Sequence, residues 1–288
     1  MRRPEEQAPL CWLASYPKAG NTWVRSLLAK LLSGSAGPEL ALAGVHAAAR
    51  GWLDGLAGLD TQELTHDGLE RIRPDLYNAA AGQGPGWQFV KIHDALHRTD
   101  EGRWLIGESL QARTIYIARH PMDVACSLSH HYQVSLDEAV RRLCDPSFTL
   151  SGRTDKARSQ ARQRLLDWSG HAASWLDEPS AHALLVRYED LKADPHRELG
   201  RMCEHLGLSP AGADVDRAVA GSDFRRLAQA ERRQGFGERL NPGVPFFRKG
   251  EVGGWRRELS DAHVDRLLTH HAPCMQRLGY LLPDGSPA

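Results

Sequence analysis

The stretch Ser15-Tyr-Pro-Lys-Ala-Gly-Asn-Thr-Trp23 joins an apolar run to a helical pattern through a tight turn. Residues 11–16 form the apolar run, which Pro17 ends, and they predict a buried strand. Residues 21–32 place Trp and Leu at helical spacing and end at Ser33-Gly34, which predicts a helix. Because backbone N–H groups and the helix dipole converge at such a helix start, the turn is a candidate anion-binding site.

The turn also carries side chains suited to a phosphate. Lys18 supplies a positive charge, Gly20 lets the backbone approach closely, and Asn21 and Thr22 add polar groups. The order differs from the nucleotide-binding loop Gly-x-x-x-x-Gly-Lys-Ser/Thr, because here the lysine precedes the glycine. Short motifs recur by chance, and an ordinary strand–helix turn would show the same pattern. The interpretation therefore depends on the rest of the chain.

Strands and helices alternate beyond this turn. The patterns predict strands at 87–92, 113–118 and 183–188, and helices at 122–131, 137–143, 161–176, 198–206 and 260–278. Residues 235–254, rich in Gly, Pro and Phe, predict a long loop. We therefore expect a three-layer α/β fold with a central parallel sheet, helices on both faces and a P-loop-like phosphate-binding loop. We expect one domain over 1–288, with 1–10 as a flexible tail, and ligands beyond the carboxyl ends of the strands.

The composition argues against a strongly charged binding surface. Lys+Arg and Asp+Glu are both 36, so the net charge is zero and no global field attracts nucleic acid or an anionic membrane. The five cysteines are scattered, which favours reduced thiols over a disulfide framework or a zinc site. The first ten residues resemble neither a signal peptide nor a membrane anchor. We therefore expect a cytoplasmic protein with a local anion site and with neither nucleic acid nor membrane as partner.

A possible transfer pair lies at the end of the second predicted strand. In Phe89-Val-Lys-Ile-His93, alternation puts Lys91 and His93 on the same side of the strand. Histidine can take a proton and lysine can neutralise a developing oxyanion. The alternative is a surface strand end that carries two polar residues.

A second phosphate site is predicted after the third strand. Arg119 leaves that strand, and Ser127 lies two turns into the following helix. Together they could grip a phosphate through the forked guanidinium, or Arg119 could simply pair with Asp123. Farther on, Trp168, His171 and Trp175 fall at helical spacing, and we expect them to face the core rather than an acceptor.

Taken together, these segments resemble the sulfotransferases that depend on 3′-phosphoadenosine 5′-phosphosulfate (PAPS). The family's 5′-phosphosulfate loop is similar to 16–23, its catalytic strand end to 91–93, and its 3′-phosphate segment to 119–127. Residues 186–192 resemble the strand exit whose tyrosine lines the adenine pocket, and 247–255 resemble the C-terminal phosphate-binding loop. The matches keep the family's order across nearly the whole chain.

The resemblance implies a role for each matching residue. The 5′-phosphosulfate would be held by Lys18, Ala19, Gly20, Asn21, Thr22 and Trp23, and the 3′-phosphate by Arg119, Ser127, Arg248, Lys249 and Gly250. The adenine would be surrounded by Trp23, Tyr188, Ser222 and Phe224. His93 would deprotonate the acceptor hydroxyl, while Lys18 and Lys91 neutralise charge. The co-substrate would be PAPS, the product adenosine 3′,5′-bisphosphate (PAP), and no metal would be required.

The chain also departs from the animal enzymes. Ala19 replaces a serine, Asn21 replaces a threonine, and Asp94 follows His93 where those enzymes have Leu-Pro. The start of the chain looks closer to bacterial members, among them the glycopeptide-antibiotic sulfotransferases. The C-terminal dimer motif is poorly matched, so a homo-oligomer is possible but has no support in the sequence.

The acceptor is expected to be a small molecule with a hydroxyl group, and a secondary metabolite is favoured. Its site would be built from loops in 38–83, 133–164 and 231–247, of which the basic stretch 153–164 is expected to be a solvated loop and helix face. Two alternatives stay open. A P-loop small-molecule kinase would need Gly-Lys-Ser/Thr and an aspartate for magnesium, which the sequence lacks. A nucleotide-binding relative without catalysis would not need Lys18, Lys91 and His93.

Overall fold

The computed structural model describes residues 10–33, 40–81, 86–107, 112–152, 159–241 and 243–288. Its strands and helices are, in chain order, β1 (Leu10–Ser15), α1 (Asn21–Leu32), β2 (Val45–His46), α2 (Arg50–Ala57), α3 (His66–Ala80), β3 (Gln88–Ile92), β4 (Arg113–Ala118), α4 (Pro121–Tyr132), α5 (Leu136–Leu143), β5 (Thr149–Leu150), β6 (Gln163–Arg164), α6 (Trp168–Leu176), β7 (Ala183–Arg187), α7 (Tyr188–Ala193), α8 (Pro195–Leu206), α9 (Gly212–Gly221), α10 (Phe224–Gln234) and α11 (Asp261–Arg277). In the described part of the chain, 3-10 turns lie at Thr61–Glu63, Pro179–Ala181 and Gly254–Arg257. Of the predicted N-terminal tail only residue 10 is described, and it begins β1. Part of the basic stretch 153–164 also lies outside the described residues.

Five strands form the central sheet, in the order β2-β3-β1-β4-β7. β1 runs parallel to β3, with Ala14 opposite Ile92, and parallel to β4, with Ser15 opposite Ile117. Every residue of β1 is buried, as expected for the middle strand of a sheet that helices cover. A parallel sheet flanked by helices confirms the predicted α/β class.

Local sequence signals placed most of the predicted elements well. The β4 and α1 boundaries agree with the prediction, and the other predicted strands agree to within a residue or two. α8 ends as expected at Gly207, whose positive φ of 67° supplies the left-handed residue that closes a helix. Residues 235–253 contain neither helix nor strand in their described part, as predicted for a long loop.

The predicted helix over 161–176 is wrong in its first half. Gln163–Arg164 forms a short antiparallel pair with Thr149–Leu150, and Leu166 has a positive φ of 59° that no helix accepts. The helix begins only at Trp168, where the Asp167 carboxylate accepts a hydrogen bond from the Gly170 amide. The helices α2, α3, α7, α9 and α10 were not predicted, and α2 and α3 occupy part of 38–83, which was expected to form loops.

The chain folds into two compact units, of which the first spans Met1–Tyr16, Gly44–Ile117 and Asp145–Leu185. It contains most of the sheet and the helices α2, α3 and α6. Its core includes Trp12, which packs edge-to-face on Tyr77 with ring centroids 5.2 Å apart. Trp168, His171 and Trp175 are all buried, which confirms that this stripe faces the core.

The second unit spans Pro17–Ala43, Ala118–Cys144 and Val186–Ala288. It is mainly helical, with α1 packed on α9 and α4 packed on α5. All five cysteines of the chain are free thiols, in agreement with the prediction. No helix in the described part of the chain is both long and apolar enough to cross a membrane.

Candidate active site

The candidate phosphate loop, residues 17–20, is a strained turn in the second unit. Lys18 has a φ of 70° and Gly20 a φ of 108°, and α1 begins after Gly20 without a side-chain cap. The Trp23 amide donates to the Gly20 carbonyl over 2.9 Å, so this amide, one of those predicted to face a phosphate, already closes the first helical turn. Ala19 and Asn21 are buried beside the loop. The uncapped helix start is the kind of terminus that binds anions.

Two distant segments of the second unit converge on this loop. A Cβ added at Gly20 would lie 2.6 Å from the Tyr188 ring, so only glycine fits against the tyrosine. The Arg119 guanidinium lies 4.4 Å from the centroid of the same ring. Arg119 Nη1 also donates to the Lys18 carbonyl over 3.3 Å. The predicted 5′-phosphosulfate loop, 3′-phosphate arginine and adenine tyrosine are therefore neighbours.

Arg119 is held by the C-terminal loop rather than by Asp123. Its Nη2 donates to the Glu251 carbonyl over 2.9 Å. Asp123 instead accepts from the Gly253 amide at 2.8 Å and from the Trp255 amide at 3.0 Å. The simple Arg119–Asp123 ion pair considered from the sequence is thus replaced by an arrangement in which both residues fix the loop that follows Gly250.

Three of the other predicted ligands of the 3′-phosphate, Arg248, Lys249 and Gly250, lie immediately before that loop. Arg248 and Lys249 both pair with the Glu258 carboxylate, at 3.0 and 2.9 Å. Burial alone would raise the pKa of Glu258, but hydrogen bonds from the two cations hold its pKa below the usual value. Gly250 has a φ of 61°, and a Cβ there would lie 2.4 Å from the Phe224 ring. Ser127 is half-buried on α4.

The predicted adenine residues line one side of the same unit. Trp23 packs edge-to-face on Tyr188 with ring centroids 5.6 Å apart, and Phe224 packs on Gly250. The Lys192 ammonium lies between Trp23 and Phe224, 5.7 and 5.6 Å from their ring centroids. Among the described residues, Trp23 Nε1 and Arg119 Nε are buried donors without a hydrogen-bond partner, and such donors fit a polar ligand.

Ser222, the fourth predicted adenine residue, is fully buried. Its hydroxyl lies 3.1 Å from the Ser26 hydroxyl on α1. This hydrogen bond gives Ser222 a part in joining α1 to the end of α9. Its contact with the base stays a prediction.

An aromatic loop covers Lys18. The Lys18 ammonium lies 3.7 Å from the centroid of the Phe246 ring, a distance typical of a cation–π contact. The Glu231 carboxylate is buried and accepts hydrogen bonds from the Phe246 and Phe247 amides, at 2.6 and 2.9 Å, and from Arg239 at 2.5 Å. Glu231 thereby fixes the loop that places Phe246 on the lysine.

The Thr22 hydroxyl also has a partner within the second unit. It donates to Glu238 Oε2 over 2.9 Å, and the other carboxylate oxygen of Glu238 lies 2.5 Å from Arg25 Nη1. Arg25 was not among the predicted site residues. Its position three residues after Thr22 on α1 is the sequence signal that could have found it, because such residues share a helix face.

The candidate transfer pair lies in the first unit, near the end of β3. Both Lys91 and His93 are buried, so they are not the polar residues of a surface strand end. His93 Nδ1 lies 2.7 Å from the Ser15 carbonyl oxygen. A carbonyl can only accept, so Nδ1 carries a hydrogen, and in the neutral form of the ring Nε2 has the lone pair. The ring is therefore held in the form that a general base requires.

A buried histidine holds the backbone of His93. His171 Nε2 donates to the His93 carbonyl over 3.1 Å, and the Tyr116 hydroxyl lies 2.9 Å from His171 Nδ1. Burial lowers the pKa of His171 to about 4, so the ring is neutral near pH 7. A neutral ring with its hydrogen on Nε2 must accept at Nδ1, so Tyr116 is the donor. No sequence pattern indicated this role.

Asp94, a departure from the family pattern, is an internal anchor. Its carboxylate forms two hydrogen bonds with the Arg73 guanidinium, at 3.1 and 2.7 Å, and both side chains are only 1% exposed. Trp175 Nε1 donates to the Asp94 carbonyl over 3.0 Å. Arg73 also donates to the Tyr77 hydroxyl over 2.7 Å. Both the side chain and the carbonyl of the residue after His93 are therefore held by buried partners.

Within the described ranges, no group of three or more His, Cys, Asp or Glu side chains is arranged to hold a metal ion. The positive groups gathered in the second unit are instead Lys18, Arg25, Arg119, Lys192, Arg248 and Lys249. Such a set suits a ligand with several negative charges.

Comparison with known proteins finds a matching family model, similar sequences and similar folds. The model of the sulfotransferase domain family matches residues 9–279. Rat sulfotransferase 1A1 is 26% identical over 279 residues, which cover 91% of this chain and 83% of the rat protein. Among solved structures, retinol dehydratase in complex with androsterone and inactive cofactor PAP has a TM-score of 0.63 at 19% identity and covers 96% of this chain and 83% of that one. Mouse sulfotransferase SULT7A1 complexed with PAP has a TM-score of 0.59 at 16% identity and covers 93% and 85%.

Proposed function

Because this chain belongs to the sulfotransferase domain family and is a PAPS-dependent sulfotransferase, we propose that it transfers the sulfuryl group to a hydroxyl of a small-molecule acceptor through the residues described above. The observation that carries this assignment is the meeting of Lys18, Gly20, Arg119 and Tyr188 in one unit. These residues come from three separate segments, and the proposed nucleotide needs all of them at once.

The second unit offers a complementary group for each part of PAPS. Lys18, Thr22 and the turn at Ala19, Gly20 and Asn21 would hold the 5′-phosphosulfate. Arg119, Ser127, Arg248, Lys249 and Gly250 would hold the 3′-phosphate, and Trp23, Tyr188 and Phe224 would pack on the adenine. The buried unpartnered donors on Trp23 and Arg119 support this fit. The glycines support it as well, because a side chain at Gly20 or Gly250 would collide with an aromatic ring.

The first unit supplies the proposed base. His93 Nε2 takes the proton of the acceptor hydroxyl while the hydroxyl oxygen forms a bond to sulfur. The bond between sulfur and the bridging oxygen of the 5′-phosphate breaks, and PAP leaves. Lys18 and Lys91 neutralise the negative charge on the leaving phosphate and the transferred oxygens. The Ser15 carbonyl keeps the His93 proton on Nδ1, so Nε2 is ready to accept.

The acceptor is proposed to be a secondary metabolite, because the start of the chain resembles bacterial sulfotransferases of antibiotics. Two of the relatives named above come from rat and mouse, so the bacterial type stays a prediction, as does the cytoplasmic location. One structural relative was solved with androsterone, which is a small hydroxyl compound. We infer the same broad class of acceptor for this chain.

The test is an assay of PAP formation from PAPS without added metal, run with a panel of phenols, sterols, sugars and glycopeptide scaffolds. Acceptor-dependent PAP formation by the wild-type protein, together with a sulfated product by mass spectrometry, would support the proposal. Binding of PAP without any acceptor-dependent turnover would favour the inactive relative. A phosphorylated product from magnesium-ATP would favour the kinase.

A further inference from the structure

One carboxylate of the protein bridges two donors at the phosphate loop. Glu238 Oε2 accepts from the Thr22 hydroxyl at 2.9 Å, and Glu238 Oε1 lies 2.5 Å from Arg25 Nη1. Thr22 and Arg25 lie three residues apart on α1 and so present one face. The Glu238 carboxylate of the protein itself therefore occupies the position between Thr22 and Arg25 that an anionic ligand could take.

Arg25 is fixed in place before any ligand binds. Its side chain is only 7% exposed, its Nε donates to the Ala43 carbonyl over 2.9 Å, and its own carbonyl accepts from the Ala43 amide. A buried guanidinium needs an anion to offset its desolvation. With Glu238 removed and nothing in its place, the charge on Arg25 would lose the anion that faces it.

The Glu238 carboxylate and a 5′-phosphate would compete for the same donor. The Thr22 hydroxyl has a single hydrogen, so it cannot donate to both oxygens at once. Two anions at adjacent positions would also repel each other at low dielectric. The arrangement seen here and a nucleotide held by Thr22 thus exclude one another.

Resting on the proposed function, we propose that Thr22 and Arg25 together bind the 5′-phosphosulfate and that Glu238 occupies their site until the nucleotide displaces it. Arg25 becomes a further co-substrate-binding residue, because its guanidinium passes from the carboxylate to the phosphate oxygens. Glu238 acts as an internal competitor that weakens nucleotide binding and keeps the site charged and ordered when it is empty.

The loop that carries Glu238 is built so that this residue can leave. Its side chain is 24% exposed, against 7% for Arg25, so water reaches the carboxylate. Gly235 precedes it with a φ of 75°, a backbone conformation that glycine adopts easily. The loop is anchored elsewhere, because Glu231 binds Arg239 and the amides of Phe246 and Phe247. Release of Glu238 therefore leaves these anchors in place.

The experiment is calorimetric titration of the full-length protein and the variants Glu238→Gln and Arg25→Met with PAP, adenosine 5′-phosphate and adenosine 3′-phosphate. Glu238→Gln should bind PAP and adenosine 5′-phosphate about fivefold more tightly, since a partly exposed competitor is removed. Adenosine 3′-phosphate lacks the competing group, so its affinity should not change. Arg25→Met should bind PAP about tenfold more weakly.

Whether each variant tightens or weakens nucleotide binding tests the proposed roles of Arg25 and Glu238. If Arg25 were only a counterion for Glu238, Arg25→Met introduced into the Glu238→Gln protein would leave the affinity for PAP unchanged, and the proposal would be overturned. Unchanged PAP affinity in Glu238→Gln would overturn it too. Arg25→Lys keeps the charge without the fork, and should show a smaller loss than Arg25→Met; it serves as the test should the methionine variant not fold.

A matched control removes the same charge from a remote place. Asp137→Asn, on an exposed carboxylate that pairs with His263, should leave the affinity for all three nucleotides as in the wild type. A wild-type protein that fails to bind PAP at all would reject the proposed function itself. Wild-type binding of PAP with no response to Glu238→Gln would reject only the present inference.

Discussion

The two regions that carry the candidate site are held in different ways. In the second unit, the candidate nucleotide residues contact groups that a ligand could replace: Arg248 and Lys249 share Glu258, Thr22 binds Glu238, and Lys18 lies on Phe246. In the first unit, His93 and Asp94 are held by the Ser15 carbonyl, His171, Trp175 and Arg73, which are all buried.

The difference fits the tasks proposed for the two regions. A binding site for a ligand that enters and leaves must exchange its contacts, and partly exposed ion pairs exchange at little cost. A catalytic base works best when its orientation is fixed in advance by buried neighbours.

Removal of the proposed base should affect chemistry alone. His93→Ala is expected to lower kcat by about 10²- to 10⁴-fold, the usual contribution of a positioned acid–base group. The affinity for PAP should change little, because His93 is assigned to the acceptor hydroxyl and not to the nucleotide. Steady-state kinetics and titration with PAP give the two values, and near-wild-type kcat would remove His93 from the role of base.

Loss of the internal anchor should destabilise the first unit. Asp94→Ala leaves Arg73 buried without its partner, and we expect the free energy of unfolding to fall by about 3–5 kcal/mol. Urea unfolding measures this change. Asp100→Ala, which breaks the exposed pair with Arg71, is the matched control and should shift the midpoint little. Equal shifts for both variants would contradict the view that the region around His93 is rigidly held.

Acid should destabilise the protein through its buried histidines. Burial lowers the pKa of His171 to about 4 and that of His120 to about 3, from about 6.5 when unfolded. Above about pH 6.5 both rings are neutral in the folded and the unfolded protein, so they do not lower the free energy of unfolding. As the pH falls from there towards 4, the unfolded chain binds protons that the folded protein does not, and each histidine lowers the free energy of unfolding by up to about 1.4 kcal/mol per pH unit. Urea midpoints between pH 7 and pH 5 test this. His171→Gln should show a shallower pH dependence, and an unchanged slope would argue against a neutral His171.

The smallest effect concerns one nucleotide ligand. Arg119→Ala should weaken binding of PAP about tenfold while binding of adenosine 5′-phosphate changes much less, because Arg119 is assigned to the 3′-phosphate. Calorimetry with both nucleotides gives the ratio. Equal losses for the two would mean that Arg119 acts through Lys18 or Tyr188 instead.

Local patterns were enough to predict β1, the phosphate loop and α1. The apolar run of β1, Pro17 and the helical spacing of α1 are all contiguous, so the strand, turn and helix could be placed from sequence. α2 and α3 gave weaker signals, because α2 contains two glycines and α3 contains Pro74 in its interior. Propensity opposes helix at those residues, and tertiary packing overrides it.

The candidate site also contains residues that local motifs could predict and residues that only long-range contacts reveal. The predicted residues lay in motifs, whereas Glu238 reaches Thr22 across 216 positions of sequence and Arg73 reaches Asp94 across 21. A charged residue is expected on the surface unless its partner is known, so Asp94 and Arg73 gave no sign of burial. Glu231 and Glu258 were missed for the same reason. Only Arg25 carried a usable signal, its helical spacing from Thr22.

Calorimetric titration of the wild-type protein with PAP, adenosine 5′-phosphate and magnesium-ATP is the direct test of whether the second unit binds a nucleotide with both a 3′- and a 5′-phosphate. The account predicts that PAP binds without added metal and more tightly than either of the others, because only PAP carries both phosphates that the second unit is equipped to hold. Preference for magnesium-ATP, or no binding of PAP, would contradict it and would return the phosphate loop to the kinase interpretation.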